Sequence, residues 1–378
     1  MQIVIIGNGV AATSAAVSIR EYDRESGITM LSDERVPFYS RPRLMEYLAG
    51  KAAFEKIVIH DEVWYEKNSI TLLRGARVDS VDPERREVTG SFALLNYDCL
   101  LIASGASADL PSFYSPQLER VFTLRTKEDA DAIAAAAARS RSSVIIGGGL
   151  LGIETAYALA ERGLESTVIE VFDRLLPRQL DDESAHILQD MLVYKGLQFL
   201  LAKQTASLSN DSGRVKILFK DGTALSSDMV VISAGIRPNI SFLKNSQIEV
   251  ERGILVDAHL RTSIPNIYAA GDCAEFEGKI YGIWPAAKEQ GELAGKAIAG
   301  QEVVYHGSLM TTKLKVADID MASVGDITAG PKAWAESRRD GASFKKLFYE
   351  NGTLKGAILI GDTREYFKLQ KEISQVAG

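Results

Sequence analysis

Two glycine-rich turns head two halves of this 378-residue chain. The first is Gly7-Asn8-Gly9-Val10-Ala11-Ala12, directly after the apolar run Ile3-Val4-Ile5-Ile6. The second is Gly147-Gly148-Gly149-Leu150-Leu151-Gly152, directly after Val144-Ile145-Ile146. In the pattern G-x-G-x-x-G/A each small residue has a task. The first glycine makes the tight turn out of a strand. The second has no Cβ, so backbone can approach a pyrophosphate. The third lets helix and strand pack closely. Gly7, Gly9 and Ala12 fill these roles once; Gly147, Gly149 and Gly152 fill them again. Free N–H groups of the next residues, Val10 and Ala11 or Leu150 and Leu151, then face the phosphates from a helix N-terminus. Two such sites imply two dinucleotides, and two redox cofactors imply electron transfer between them.

Each turn leads to an acid at the end of the following strand: Asp33 or Glu34 for the first, Glu170 for the second. A carboxylate there accepts hydrogen bonds from the adenosine ribose hydroxyls. At Glu170 it also repels a 2′-phosphate, which favours NADH over NADPH, although Arg174 close by in sequence works against that preference. A third signal, Tyr268-Ala269-Ala270-Gly271-Asp272, places an acid after a strand that returns to the first site. Asp272 suits a polyol chain, which FAD has and NADH lacks. Pro285 suits the first turn of a helix reaching about Ala299, whose positive end would face a reduced, anionic flavin. FAD therefore belongs to the first turn and NADH to the second.

These residues need an α/β frame. Short apolar runs alternate with helical patterns. Strand 2–6, helix 9–21 and strand 28–31 are repeated by strand 143–146, helix 150–162 and strand 166–170. Thr126, with Asp129 three residues on, reads as a capped start of an Ala-rich helix to Ala138. Residues 216–219, the Asp221-Gly222 turn and residues 228–234 read as a β-ribbon closing the second unit. After Gly235 the first unit resumes, with strands expected at 253–256 and 267–270. From about Tyr305 a smaller tail carries β-like runs at 311–316, 344–349 and 357–360 before a last helix. The fold class is α/β: two Rossmann-like three-layer dinucleotide-binding domains, the second inserted in the first, plus a small α+β C-terminal domain. The expected boundaries are 1–110 with 238–304 for FAD, 111–237 for NAD(H), and 305–378.

Composition removes other classes. A net charge of -7 argues against nucleic acid as a partner. No apolar stretch approaches the roughly 18 residues of a membrane span. The strand starting at Gln2 leaves no room for a signal peptide, so a cytoplasmic location is expected. The two cysteines, Cys99 and Cys273, form no C-x-x-C pair and read as buried thiols. Four scattered histidines give no metal-ligand spacing, and no metal site is expected.

The motifs together resemble the two-dinucleotide flavoproteins of the pyridine nucleotide–disulfide oxidoreductase superfamily. The resemblance spans nearly the whole chain, through Gly7–Ala12, Leu101-Ile102-Ala103-Ser104-Gly105-Ala106, Gly147–Glu154, Gly235-Ile236-Arg237-Pro238-Asn239 and 262–272. The redox-active cysteine of the disulfide reductases is absent from Val36-Pro37-Phe38-Tyr39-Ser40-Arg41-Pro42-Arg43-Leu44. That run resembles NADH:rubredoxin oxidoreductases and the N-terminal flavin domain of NADH-nitrite reductases. More distantly it is similar to the ferredoxin reductases of oxygenase systems. The resemblance implies FAD contacts from Ala103, Ser104, Gly105, Arg41, Val78 and Arg125, and a nucleotide contact from Gly235. It places Trp284 beside the isoalloxazine and nicotinamide, and Glu154 near the nicotinamide carboxamide. Ferredoxin reductases carry a lysine where this chain has Glu46, so either Arg43 substitutes or the flavin is tuned differently.

The expected reaction is hydride transfer from NADH to flavin. Trp284 and Glu154 act as positioning groups, with no side chain as nucleophile. With no disulfide to visit, electrons leave to a small carrier, rubredoxin or ferredoxin-like. Lys313 and Lys315, Lys345 and Lys346, or Arg338 and Arg339 would offer it a basic face. A monomer is favoured over a homodimer. Three alternatives stand beside this reading: the flavin subunit of an NADH-nitrite reductase system, a direct NADH oxidase, and a non-enzymatic NADH-sensing flavoprotein.

Overall fold

The computed structural model describes residues 1–328 and 333–377. It divides into two compact units. One comprises Met1–Ser40, Phe54–Ser107 and Ile236–Ser308; the other comprises Arg41–Ala53, Ala108–Gly235 and Leu309–Gly378. The chain thus leaves the first unit and returns to it after Gly235.

The β-branched run Ile3-Val4-Ile5-Ile6 is buried on both sides and lies in the middle of a five-stranded sheet. The order is Ile267–Ala269, Cys99–Ile102, Gln2–Ile6, Gly27–Ser32, Ile70–Arg74, and all pairs are parallel. Apolar residues on both strand faces are what such a sheet requires. Ile3 and Ile5 pack with helix Val10–Tyr22 and helix Trp284–Ile298 on one face. Val4 and Ile6 pack on the other face with Val81 and Val88 of a small antiparallel sheet. These are the three layers.

The two helices cross with backbone nearly in contact. A Cβ on Gly291 would lie 2.2 Å from Ala11 O, and one on Gly295 would lie 2.3 Å from Ala15 O. Small residues at this i, i+4 spacing therefore bring the start of one helix beside the other.

The second unit repeats the plan. Its parallel sheet runs Gln198–Leu200, Glu165–Ile169, Ser142–Ile146, Met229–Ile232, Val121–Thr123. Val144, Ile146, Val230 and Ile232 pack against Val215 and Ile217 of an antiparallel sheet. The capping box at Thr126 is present, with Thr126 N–H donating to Asp129 Oδ2 at 3.0 Å and Asp129 N–H donating to Thr126 Oγ1 at 3.2 Å.

One expectation is corrected. The Asp221-Gly222 turn joins Arg214–Phe219 to Ala224–Ser227, but residues 228–234 do not complete that ribbon. Met229–Ile232 instead runs parallel to Ser142–Ile146. It is buried along its whole length, which suits the centre of a sheet and not the edge of a ribbon.

The tail forms a five-stranded antiparallel sheet, ordered Thr311–Val316, Ile319–Gly325, Thr353–Ile360, Ser343–Glu350, Ala333–Asp340. Helix Tyr366–Ala377 packs on it through Tyr366, Leu369 and Ile373.

Candidate functional site: two glycine turns

The turns are near copies. Gly7 and Gly147 both sit at φ 121°, in the region that favours glycine. A Cβ on Gly7 would lie 2.1 Å from Ala103 O, and one on Gly147 would lie 2.1 Å from Ser233 O. No other residue lets the turn pass that close to the neighbouring strand. By contrast, a Cβ on Gly9 or Gly149 would meet nothing within 4 Å. These second glycines border open space. Each is also the N-cap of its helix, and no side chain caps either helix. The first-turn N–H groups are thus left for an external acceptor. Open space in front of uncapped helix N-termini fits a pyrophosphate at both turns.

The third positions differ. Ala12 is fully buried, whereas a Cβ on Gly152 would lie 2.0 Å from Gly147 O. The middle residues are pinned by different means. Asn8 Oδ1 accepts from the Tyr65 hydroxyl at 2.8 Å. Gly148 N–H donates to Glu170 Oε2 at 2.6 Å, and Phe172 N–H donates to Glu170 Oε1 at 3.0 Å. Glu170 is buried and holds its own turn.

In the first unit Gly271 lies beside the first turn. A Cβ on it would touch Ala11 Cβ at 3.0 Å and Ala287 Cβ at 3.7 Å. Two helix N-termini and the Gly271-Asp272 turn therefore converge. Asp33 is exposed just past the strand end, and Glu34 Oε2 accepts from the Tyr39 hydroxyl at 2.7 Å. Ala103 is buried beside Gly7. Ser104 Oγ donates to Asn239 O at 2.7 Å, and Asn239 N–H donates to Gly105 O at 2.9 Å. Val78 opens the strand Val78–Asp82. Trp284 begins its helix and stacks on Phe38, with centroids 5.8 Å apart and planes 15° apart.

In the second unit Arg41 Nη1 donates to Arg125 O, bringing two of the expected residues together. Arg43 pairs with Glu46 at 2.8 Å. Arg43, expected as a stand-in for a lysine, is thus engaged by Glu46. Burial pushes the Glu154 carboxyl up to about 7. Gly235 sits at φ 117° and accepts from Asp109 N–H at 3.0 Å.

Both cysteines are buried, and burial pushes the Cys99 thiol up to about 12 and raises the Cys273 thiol as well. A thiol held protonated is a poor nucleophile. Among the described residues no group of three or more His, Cys, Asp or Glu could hold a metal ion, and no helix is long and apolar enough to cross a membrane.

Sequence reasoning missed Tyr65, Phe38 and Gln290. Gln290 left a trace: it is the one polar residue on the buried stripe Ala286, Ala287, Gln290, Gly291, Ala294, Gly295, Ile298.

The family model for pyridine nucleotide-disulphide oxidoreductases matches residues 1–291. The chain belongs to this family. A second model, for the rubredoxin NAD+ reductase C-terminal domain, matches residues 311–377. This is a family of NAD(P)H-dependent FAD oxidoreductases, and its two-dinucleotide fold is the one described above. Among relatives, the assimilatory nitrate reductase electron transfer subunit of Bacillus subtilis is 35% identical over 97% of this chain and 48% of its own length. An NADH-rubredoxin oxidoreductase of Clostridium acetobutylicum is 33% identical over 98% of this chain and 94% of its own. The crystal structure of NADH:rubredoxin oxidoreductase from that organism superposes with a TM-score of 0.82 at 31% identity, covering 99% of this chain and 95% of the other. The chain spans about half the length, or less, of the nitrate and nitrite reductase relatives it matches.

Proposed function

We propose that this protein takes electrons from NADH through FAD to a small one-electron carrier of the rubredoxin or ferredoxin type. The carrying observation is the doubled turn, each copy open at its second glycine while both thiols are buried. When bound, FAD would supply hydride acceptance from the nicotinamide and release of the electrons, singly or paired, to an outside acceptor.

The chain's own residues bind, orient and exclude water. Gly9 and the N–H groups of Val10, Ala11 and Ala12 would hold the FAD pyrophosphate. Asp33 or Glu34 would take the ribose, and Asp272 the ribityl chain. Val78, Ala103, Ser104 and Gly105 would complete the FAD contacts of the first unit. Gly149, Leu150, Leu151 and Gly152 would hold the NADH pyrophosphate, Glu170 its ribose, and Gly235 would line the site. Trp284 would position the flavin ring in the first unit, and Glu154 the nicotinamide in the second.

A basic face would dock an acidic carrier. Lys346 is neutralised by Asp181 at 2.5 Å and Glu183 at 2.7 Å, and Lys345 pairs with Glu365 at 3.0 Å. Lys313 Nζ lies 4.0 Å from the ring centroids of both Tyr366 and Phe367. Arg338 and Arg339 lie exposed on the Ala333–Asp340 strand, where as successive residues they point to opposite faces of the sheet and so serve different faces.

A second reading, the flavin-bearing part of a nitrate or nitrite reductase system, is favoured by relatives about twice as long as this chain. Rapid mixing with NADH, then with air, rubredoxin, ferredoxin, quinone or a siroheme partner, separates the two. Fast reoxidation by rubredoxin, weakened by salt, supports the carrier reading. Reoxidation only by a siroheme partner favours the second, and fast oxygen consumption alone points to an oxidase.

A further inference from the structure

The Gly271-Asp272 turn is held by a chain of hydrogen bonds that runs through the core of the first unit to its surface. Gly271 N–H donates to Gln290 Oε1 at 2.8 Å. Gln290 Nε2 donates to the Tyr305 hydroxyl at 3.0 Å. Tyr305 and Ser308 hydroxyls are 2.8 Å apart, and Ser308 Oγ donates to Glu289 Oε2 at 2.6 Å. Gln290 and Tyr305 are each 1% exposed, whereas Glu289 is at the surface. Phe276 and Tyr281 pack around the Tyr305 ring, at 4.9 and 6.2 Å between centroids.

The direction of this chain is set at its outer end. An ionised carboxylate only accepts, so Ser308 donates to Glu289. The Ser308 oxygen is then free to accept from Tyr305, whose oxygen accepts from Gln290 Nε2. Only the carbonyl oxygen of Gln290 is left to face Gly271. A reversed amide would set an NH₂ group against the Gly271 N–H, two donors in a buried place. Gly271 sits at φ 85° between Ala11 and Ala287, so a small rotation of its peptide re-aims Asp272.

We propose that Gln290, Tyr305 and Ser308, directed by Glu289, are positioning residues that aim the Gly271-Asp272 turn at the flavin. This rests on the first unit being the FAD site. A merely structural role would lower stability and leave the bound flavin unchanged. An aiming role changes the affinity and the electronic state of the flavin.

The full-length chain, stripped of flavin, is titrated with FAD and its thermal midpoint measured without FAD. Gln290→Leu is expected to raise the FAD dissociation constant at least tenfold and to shift the visible spectrum and midpoint potential of the bound flavin. Gln290→Glu keeps an acceptor toward Gly271 and is expected to recover most of that affinity. Tyr305→Phe and Glu289→Ala are expected to raise the constant several-fold, the latter with the flavin-free midpoint unchanged because Glu289 is exposed. If Gln290→Leu does not fold, these two carry the test. Variants that bind FAD within twofold of the parent with an unchanged spectrum overturn the inference while the FAD reading stands. A parent chain that binds no FAD overturns both.

Discussion

Glu170 and Gly148 are joined by a 2.6 Å hydrogen bond, from the backbone N–H at the centre of the second glycine turn to a carboxylate buried at the end of the next strand. The other oxygen of Glu170 takes Phe172 N–H at 3.0 Å. The acid that the motif assigns to the ribose is also part of the turn's own scaffold. A carboxylate has about four lone-pair sites, so both tasks fit on one group.

Removing it therefore acts twice. Glu170→Ala leaves the Gly148 N–H without its acceptor, a cost of about 1–3 kcal/mol. The thermal midpoint should fall by several degrees. The KM for NADH should rise roughly tenfold, about 1.4 kcal/mol of binding, and relative use of NADPH should increase. Steady-state kinetics with both nucleotides check this; an unchanged NADH/NADPH ratio would remove Glu170 from nucleotide choice.

The first turn separates folding from binding. Gly7→Ala drives a Cβ to 2.1 Å from Ala103 O at φ 121°, so it should cost several kcal/mol, on the order of the worst core substitutions. Gly9→Ala meets nothing within 4 Å and should leave a folded chain. Its methyl occupies the space in front of the helix N-terminus, so bound FAD should be lost. Circular dichroism and flavin content of the two purified variants give the answer; a stable, FAD-loaded Gly7→Ala protein would contradict the packing argument.

Glu154 predicts a pH dependence. Burial moves its carboxyl from an ordinary 4.5 up to about 7. Between those values the folded chain keeps a proton that the unfolded chain has released. Stability therefore falls as pH rises from about 4.5 to about 7, and the loss is complete above 7. The cost is on the order of 3 kcal/mol. Glu154→Gln stays neutral, so it should be more stable than the parent at pH 8 and equal to it at pH 4. Urea unfolding at both values tests this, and equal stabilities at pH 8 would refute it.

The thiols should be dispensable. Cys99 and Cys273 are buried and held protonated, and Cys273 Sγ donates to the carbonyl oxygens of Ile102 and Ala270, each at 3.4 Å. A Cys99→Ser, Cys273→Ser chain should still show NADH-driven bleaching of its flavin at close to the parent rate. A folded, FAD-loaded but unreducible double variant would require a thiol in the reaction.

Much of the architecture was legible because its signals are local. The strand–turn–helix units at Gly7 and Gly147, the Thr126 cap and three of the five tail strands follow from patterns within about a dozen residues, whereas Ile319–Gly325 and Ala333–Asp340 were not expected. Residues 228–234 were misplaced because an apolar run does not say which strand it will pair with. Its burial among parallel neighbours decides that, and the neighbours are Ser142–Ile146 and Val121–Thr123.

By itself the sequence determined the two turns, their order, the acids that follow them and the absence of a cysteine between them. Glycine's missing Cβ is a property of the residue and can be read without a fold. Tertiary structure alone decided which glycines are closed and which face open space. It decided that Glu170 braces its own turn and that Gln290 reaches Gly271 from a helix nineteen residues away. Those are properties of pairs brought together by packing, and hydrogen bonds between distant residues leave no periodic trace in the chain.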